Sequence, residues 1–444
     1  MSVESLLVSF ACQNPTRKRK EETMRKRYLA TALVAIGALT LTACSDSPSE
    51  PVKVSMWSYA AGNEQEIATV KEAIADFNAS QSDYEVVLEE FPQESYNDSI
   101  ISAASSNTLP CIVDVDGPIM PNWAWAGYMQ PIKINSDLEA NLVDGAKGYW
   151  NGSLYSAGAW DAALGLLTRK SYLDAVGARI PTIDQPWTQA EFDGLLAKLK
   201  ASGKFDYAMD WGNGWTGEWY PYAYSPLLQS FGGDLINRDG YSSSDGVING
   251  AAAVKFASWF QDTFKKGYAN TKQSGDRTEF ANERIAIQWN GNWAVKDVYE
   301  KFGDDLLILP PVDFGNGPKI GAASWQFGIS SSCEETEGAT KFIEFILQDK
   351  YIVAFANRIG LIPATAGAAA EVPNYAPNGP FSVFVDFNKS YAVKRPETPA
   401  YLFISTTFEK AIADIINGAS PQQALDKAAD EIDANLAEND NYSG

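Results

Sequence analysis

Regular alternation of strand-like and helix-like segments predicts a two-lobed α/β protein. Three observations carry that class. The chain has 444 residues, too many for one ordinary core. A β-α-β-α-β run opens the folded part, the pattern of a mostly parallel sheet with right-handed crossovers. The alternation then restarts after Leu154-Tyr155, as a second lobe would require.

The elements follow in order. Lys53 to Trp57 alternates polar and apolar residues, a strand pattern. Gly62-Asn63-Glu64 opens a helix that places Ile67, Val70, Ile74 and Phe77 on one face. Tyr84 to Glu89 is a second strand, Tyr96 to Ser105 a helix. Cys111 to Asp116 is a third strand, apolar enough to be buried on both faces. In the second half Leu164 to Thr168 is strand-like. Thr188 caps a helix to Leu199, with Glu191 three residues on completing a capping box. Tyr207 to Trp211, Glu283 to Gln288, Leu306 to Leu309 and Trp325 to Ser330 read as strands. Gly250 to Phe264, Glu334 to Leu347, Thr406 to Asn417 and Pro421 to Ala437 read as helices, and Asp234 to Gly240 as a turn.

The N-terminus carries a targeting pattern. Met24-Arg25-Lys26-Arg27 is basic, and Tyr28 to Leu41 is an apolar run of signal length, too short to span a membrane. It ends Leu41-Thr42-Ala43-Cys44, where small residues before a cysteine resemble a lipobox. Residues 1–43 thus read as an upstream segment and signal peptide, Cys44 as the lipidated first residue, and 44–51 as a polar tether. A signal peptide with a chance cysteine is the alternative. Removing 1–43 takes the net charge from -21 to -25, since that stretch holds seven Lys/Arg and three Asp/Glu.

Such a charge argues against nucleic acid as a partner, because phosphate contacts need basic surface. The absence of histidine removes Ser-His-Asp and Cys-His catalysis and His-ligated zinc. No phosphate-binding loop, dinucleotide fingerprint or nucleophile elbow is present, and no metal or other cofactor is expected. In an oxidising compartment Cys111 and Cys333 have the option of a disulfide; two buried thiols are the alternative.

The order of motifs resembles extracellular solute-binding proteins of family 1, the sugar receptors of ABC importers that include maltose-binding protein. Val54 to Trp57 with Gly62-Asn63-Glu64 is similar to the family's first strand and helix start. Gly152-Ser153-Leu154-Tyr155 is similar to "G-x-x-Y", and Pro186-Trp187-Thr188 with Phe192 to "P-x-T-W-x-E-F". Phe280 to Ala286 with Gly291-Asn292-Trp293 is similar to "F-x-x-G-K-x-A-M…G-x-W". Ile359 to Ala364 is similar to "G-x-x-P-A", and Arg395-Pro396 with Pro399 and Tyr401 to "R-P-x-x-P-x-Y". Glu283 stands where glycine is usual, and Cys111 where aspartate is. The resemblance runs from about residue 52 to the C-terminus. It implies a type II periplasmic-binding fold with parallel-rich sheets, a hinge and an interlobe cleft. Lobe 1 would hold 52–161 and 322–357, lobe 2 162–321 and 358–444. It further implies a monomer outside the cytoplasmic membrane that hands a carbohydrate to an ABC permease.

Sugar chemistry selects the site residues. A pyranose offers an apolar C–H face for flat aromatics and a hydroxyl edge for carboxylates and amides. Ile287 to Val295 sets Trp289 and Trp293 around an Asn290-Gly291-Asn292 turn signal. The ring that stacks on ligand in the family coincides with Trp293. Asp210 to Tyr220 crowds Trp211, Trp215, Glu218 and Trp219 into a glycine-rich loop after a strand. Trp57, Glu64, Asp116 and Asp161 stand at places that hold rings or hydrogen-bonding groups in relatives; Trp325, opening the strand after the second crossover, is a further candidate, as are Arg358 and Tyr401, for which a surface ion pair and core packing are the alternatives. The expected function is a carbohydrate receptor without catalysis, for an oligosaccharide or glucoside. The alternatives are a secreted glycoside-active enzyme and a surface glycan-capture lipoprotein without a permease.

Overall fold

The first strand alternates buried Val54 and Met56 with exposed neighbours before its end turns wholly inward, and it seeds the larger of two sheets. The computed structural model describes residues 50–322 and 324–442. The signal segment 1–43, the lipid-acceptor Cys44 and the tether up to residue 49 lie outside the described residues.

The first sheet contains β1 (Val52–Ala61), β2 (Tyr84–Pro92), β3 (Ile112–Asp116), β4 (Met129–Gln130), β5 (Lys147–Trp150), β6 (Ser153–Ala157) and β13 (Trp325–Ser330). Its order is β2-β1-β3-β13-β6-β5, with β4 also on β13. The second contains β8 (Leu164–Arg169), β9 (Tyr207–Asp210), β10 (Ile285–Gly291) and β11 (Leu306–Leu309), ordered β11-β8-β10-β9. Both sheets are mixed. Parallel pairing is confined to β2-β1-β3 and to β9-β10; β13 and β8 run antiparallel to their neighbours. The parallel pattern ends at a tight hairpin, β5 to β6. Asn151 and Gly152 supply its two positive φ values, 47° and 76°, which Asn-Gly adopts at low cost.

Each sheet carries its own apolar core. Ile67, Val70, Ile74 and Phe77 of the helix Glu64–Ser80 join the first core with Val54, Ile112, Phe342 and Phe355. Leu166, Phe192, Trp211, Phe260, Trp289 and Phe408 centre the second. Thr188 makes the expected capping box with Glu191 ahead of the helix Gln189–Ala201. Leu361, Ala364 and Ala368, assigned by sequence to the second lobe, pack into the first core.

Four short strands lie where the chain passes between the cores, in two pairs. β7 (Trp160–Asp161) pairs with β14 (Ile362–Pro363), and β12 (Ile320–Gly321) with β15 (Ala392–Val393). Asn292 ties two of the crossings: its Oδ1 accepts from the Ala163 N–H at 2.9 Å and its Nδ2 donates to the Gly360 carbonyl at 2.7 Å. Cys111 and Cys333 form a disulfide inside the first core, with Cα atoms 4.3 Å apart. Glu283, where the family carries glycine, has φ 60°. Its carboxylate is held by Arg169 and by Tyr172 Oη at 3.2 Å, interactions that offset the strain of a left-handed residue. Among the described residues no helix is long and apolar enough to cross a membrane.

Candidate functional site between the two cores

Ligands of open α/β sheets gather at the carboxyl ends of strands, and both sheets concentrate aromatic rings there. On the first, Tyr59 near the end of β1 stacks on Trp325 with centroids 3.7 Å apart and planes 15° apart. Trp325 opens β13 directly opposite Asp116, the last residue of β3. Trp57 leans on Phe91 at 4.4 Å. On the second sheet β10 ends at Gly291, and the following turn carries Trp293. A side chain at Gly291 would meet the Trp293 ring at 2.1 Å, so glycine is what lets the indole fold back. The Trp293 ring lies 6.4 Å from Trp219 and 6.1 Å from Tyr222, and Trp219 stands edge-on to Trp215 at 4.9 Å. Trp57, Trp215, Trp293 and Trp325 are only half-buried. Trp293 packs against both cores.

A charged network joins the two edges. Glu218, from the second-sheet loop, accepts from Arg395, from the Tyr401 hydroxyl and from Ser405 Oγ at 2.6 Å. Arg395 also lies 3.7 Å from Asp116 of the first sheet, and its guanidinium sits 5.0 Å from the Tyr222 ring centre. Burial pushes the Asp116 carboxyl up to about 6; Arg395 opposes that rise and Glu218 adds to it. Asp161 accepts from the Ala162 N–H and from Asn388 Nδ2, both at 2.8 Å, and burial raises its carboxyl as well. A cavity of about 450 Å³ opens beside it, lined by Asp161, Gln326, Asn388 and Arg395 among others.

Beneath the Tyr59–Trp325 stack lie two further acids. Glu66 accepts from Tyr59 Oη and from Asn63 Nδ2 at 2.7 Å; Asp114 accepts from Ser58 Oγ at 2.6 Å. Burial lifts Glu66 to about 7 and Asp114 to about 8.

The aromatic loop after β9 is fastened by Arg277. Its guanidinium lies over Trp215 at 4.4 Å and over Trp219 at 5.1 Å, and it pairs with buried Asp210 at 3.3 Å. Trp215 Nε1 donates to the Gly275 carbonyl at 2.6 Å. Two rings are thereby clamped by a cation rather than left on a loose lid.

The structure gathers Trp57, Asp116, Trp215, Glu218, Trp219, Trp293, Trp325 and Tyr401 at the sheet edges and in the Arg395 network, with Asp161 at the hinge. It places the others elsewhere. Trp211 is packed among Phe192, Trp259 and Phe260, its Nε1 bonded to Thr263 Oγ1 at 3.1 Å, so it belongs to the second core. Trp289 is 1 % exposed and donates to the Ala223 carbonyl; it sits within β10, not on a bend. Asn290 is satisfied by Gln288 Oε1 and the Gly291 N–H, inside the same strand. Arg358 binds Thr69 Oγ1 and Glu72, tying two helices of the first half. Glu64 is exposed in the first helical turn, where its charge complements the dipole; Glu66 is the acid that turns inward.

Sequence reasoning passed over Arg395, Tyr222, Tyr59, Glu66 and Arg277 as site residues. Arg395 had a signal, the Arg-Pro pair of a quoted motif. Tyr222 had none, because the helix Trp219–Ser230 is buried on nearly every side and shows no amphipathic period, with Pro226 inside it.

A family model described as bacterial extracellular solute-binding protein matches residues 72–379. An uncharacterized lipoprotein in the oleD 5′ region of Streptomyces antibioticus is 22% identical over 366 residues, covering 78% of each chain. Among solved structures, the GacH receptor of Streptomyces glaucescens, determined unliganded and with acarbose, superposes with a TM-score of 0.73 at 20% identity. That match covers 88% of this chain and 100% of that one. The cyclic alpha-maltosyl-1,6-maltose binding protein of Arthrobacter globiformis gives 0.70 at 21%, over 87% and 100%. The substrate-binding protein Lmo0181 of Listeria monocytogenes, in complex with cycloalternan, gives 0.74 at 16%, over 87% and 99%.

Proposed function

The chain belongs to the bacterial extracellular solute-binding proteins, and from that premise we propose that it is the carbohydrate receptor of an ABC importer. The family binds solutes rather than transforming them, so the chain is a receptor and not an enzyme. The observation that carries the sugar reading is the convergence of half-buried rings from both sheet edges around the Arg395–Glu218–Asp116 network. Rings supply stacking area for a pyranose face; the carboxylates and guanidinium supply charge-assisted partners for hydroxyls. The neighbouring structures named with acarbose, cycloalternan and a cyclic maltosyl-maltose favour an oligosaccharide or glucoside.

The mechanism is a shift of population toward a closed form. The halves 52–161 with 322–357, and 162–321 with 358–444, rock about the paired crossings β7/β14 and β12/β15. Leu361, Ala364 and Ala368 travel with the first half, because they pack there, while Ile362 joins the second core at the crossing. Cys44 tethers the receptor to the membrane through its lipid, and an ABC permease receives the loaded form.

The test is calorimetric titration with a panel of mono- and oligosaccharides, beside tryptophan emission and melting temperature. A binding sugar raises the melting temperature by linkage and changes the emission of the cleft indoles. Heat-silent, emission-silent titrations across the panel would remove the reading.

A further inference from the structure

The chain leading away from Asp116 meets the second half at successive points. Asp116 itself faces Arg395 at 3.7 Å. Further along, Asn122 Nδ2 donates to the Pro399 carbonyl at 2.6 Å. One helical turn beyond, Trp125 stands edge-on to Tyr442, with centroids 4.8 Å apart and planes at 66°. Asn122 and Trp125 occupy i and i+3 of the short helix Met120–Trp125, so they share one face. Trp123 and Ala124 turn the other way, into the first core. Trp125 belongs to neither core and is 38 % exposed. Its ring contact reaches across to the other half, so the indole does little to fold its own.

Tyr442 is held there against its backbone preference. Asp440, Asn441 and Tyr442 follow one another at φ 52°, 53° and 54°, all left-handed and none of them glycine. Asp and Asn accept that region more readily than tyrosine does. Local bonds hold the turn: the Tyr442 N–H donates to the Asn439 carbonyl and its Oη to Asn435 Oδ1, both at 2.8 Å. Asn439 Nδ2 reaches back to the Asn435 carbonyl at 2.8 Å. The helix that carries the turn, Pro421–Glu438, is fixed by Leu425, Ile432 and Leu436 in the second core. Strain that the surroundings maintain calls for a role, and the phenol's contact across the boundary supplies one.

We propose that Trp125 and Tyr442 form a latch between the halves: the ring pair meets when Asp116 and Arg395 approach and parts when the halves rock open. The latch favours the closed arrangement and raises apparent affinity without touching ligand. It goes beyond the receptor reading but rests on the rocking motion which that reading supplies.

The experiment titrates Trp125→Ala, Tyr442→Ala, the double variant and Tyr442→Phe with a sugar that binds wild type. An edge-on ring pair shifts a closed-to-open ratio by about two- to tenfold, so each alanine variant weakens the sugar by that factor, through faster dissociation. The double variant is no weaker than either single one, because one contact is lost in all three. Tyr442→Phe keeps the ring and binds as wild type does. In parallel, Trp125→Cys/Tyr442→Cys is treated with a short bis-maleimide; cross-linking is faster with saturating sugar than without. The latch is overturned if the alanine variants bind as tightly as wild type or more tightly, if their losses multiply in the double variant, or if Tyr442→Phe loses as much as Tyr442→Ala. Cross-linking that never occurs, or that ignores a sugar that binds, overturns it too. Each of those leaves the receptor reading intact. Failure of wild type to bind any sugar removes the receptor reading, and the latch then stands or falls on whether the two cysteines cross-link.

Discussion

Trp289 and Trp293 stand four residues apart on one stretch of chain, and two buried arginines repeat their contrast. Trp289 and Arg277 find their partners within the second half: the indole in the Ala223 carbonyl, the guanidinium in Asp210 and the Trp289 carbonyl. Trp293 and Arg395 find theirs on both sides of the boundary between the cores. The indole packs on both cores, and the guanidinium lies between Asp116 of one sheet and Glu218 beside the other. Residues of the same type therefore do different work. A group closed by its own half holds that half together; a group closed by both can be opened again.

The sharpest way to break that contrast is to truncate each member. Arg277→Met strands Asp210 in the core and costs about 3–5 kcal/mol of stability in denaturant titrations. Trp289→Ala costs a similar ~3–5 kcal/mol through its cavity. Trp293→Ala leaves the unfolding midpoint much nearer wild type but weakens the binding sugar about tenfold or more by calorimetry, about 1.4 kcal/mol. A Trp293→Ala protein as unstable as Trp289→Ala would erase the distinction.

Proton linkage separates the halves next. Glu66 and Asp114 have folded values of about 7 and 8, above their ordinary carboxylate range. The native state therefore holds more protons than the unfolded chain between about pH 5 and 7. Stability is fully present below the unfolded values, near pH 4, and declines as pH rises through 7 and 8, by at most about 1.4 kcal/mol per unit for each group. Glu66→Gln flattens that slope in melting experiments from pH 5 to 8; an unchanged slope would show that Glu66 is not the titrating group. The smallest effect belongs to Arg358. Its pair with Glu72 is about a third exposed on either side, so Arg358→Ala shifts stability by about 1 kcal/mol or less and leaves sugar affinity unchanged.

Much of this was legible in the chain. Leu306–Leu309 and Trp325–Ser330 have the bounds their apolar pattern predicts, and the capping box at Thr188 is as written. Periodicity works where one face is dry and the other wet. It failed for the helix Trp219–Ser230, whose β-favouring aromatics and two prolines conceal it and whose burial removes the wet face. Site residues were legible by type but not by direction. Trp211 and Trp215 share one glycine-rich segment, yet only the three-dimensional course of the loop decides that the first enters the core and the second remains half-buried. Glu64 and Glu66 differ by two places on a helix, which is enough to turn one outward and the other in.

The disulfide between Cys111 and Cys333 spans 222 residues, and the strand that completes the first sheet, β13, begins only at Trp325. Synthesis proceeds from the N-terminus, so the earlier half waits, lacking a central strand, while the whole of the later sheet is made. The half that starts first cannot close its sheet until that strand arrives. Its partner is incomplete in that interval too, since Phe408, Ile412 and Leu425 of its core come later still, and oxidation of the two thiols can only follow, locking a sheet whose strands lie far apart in the chain.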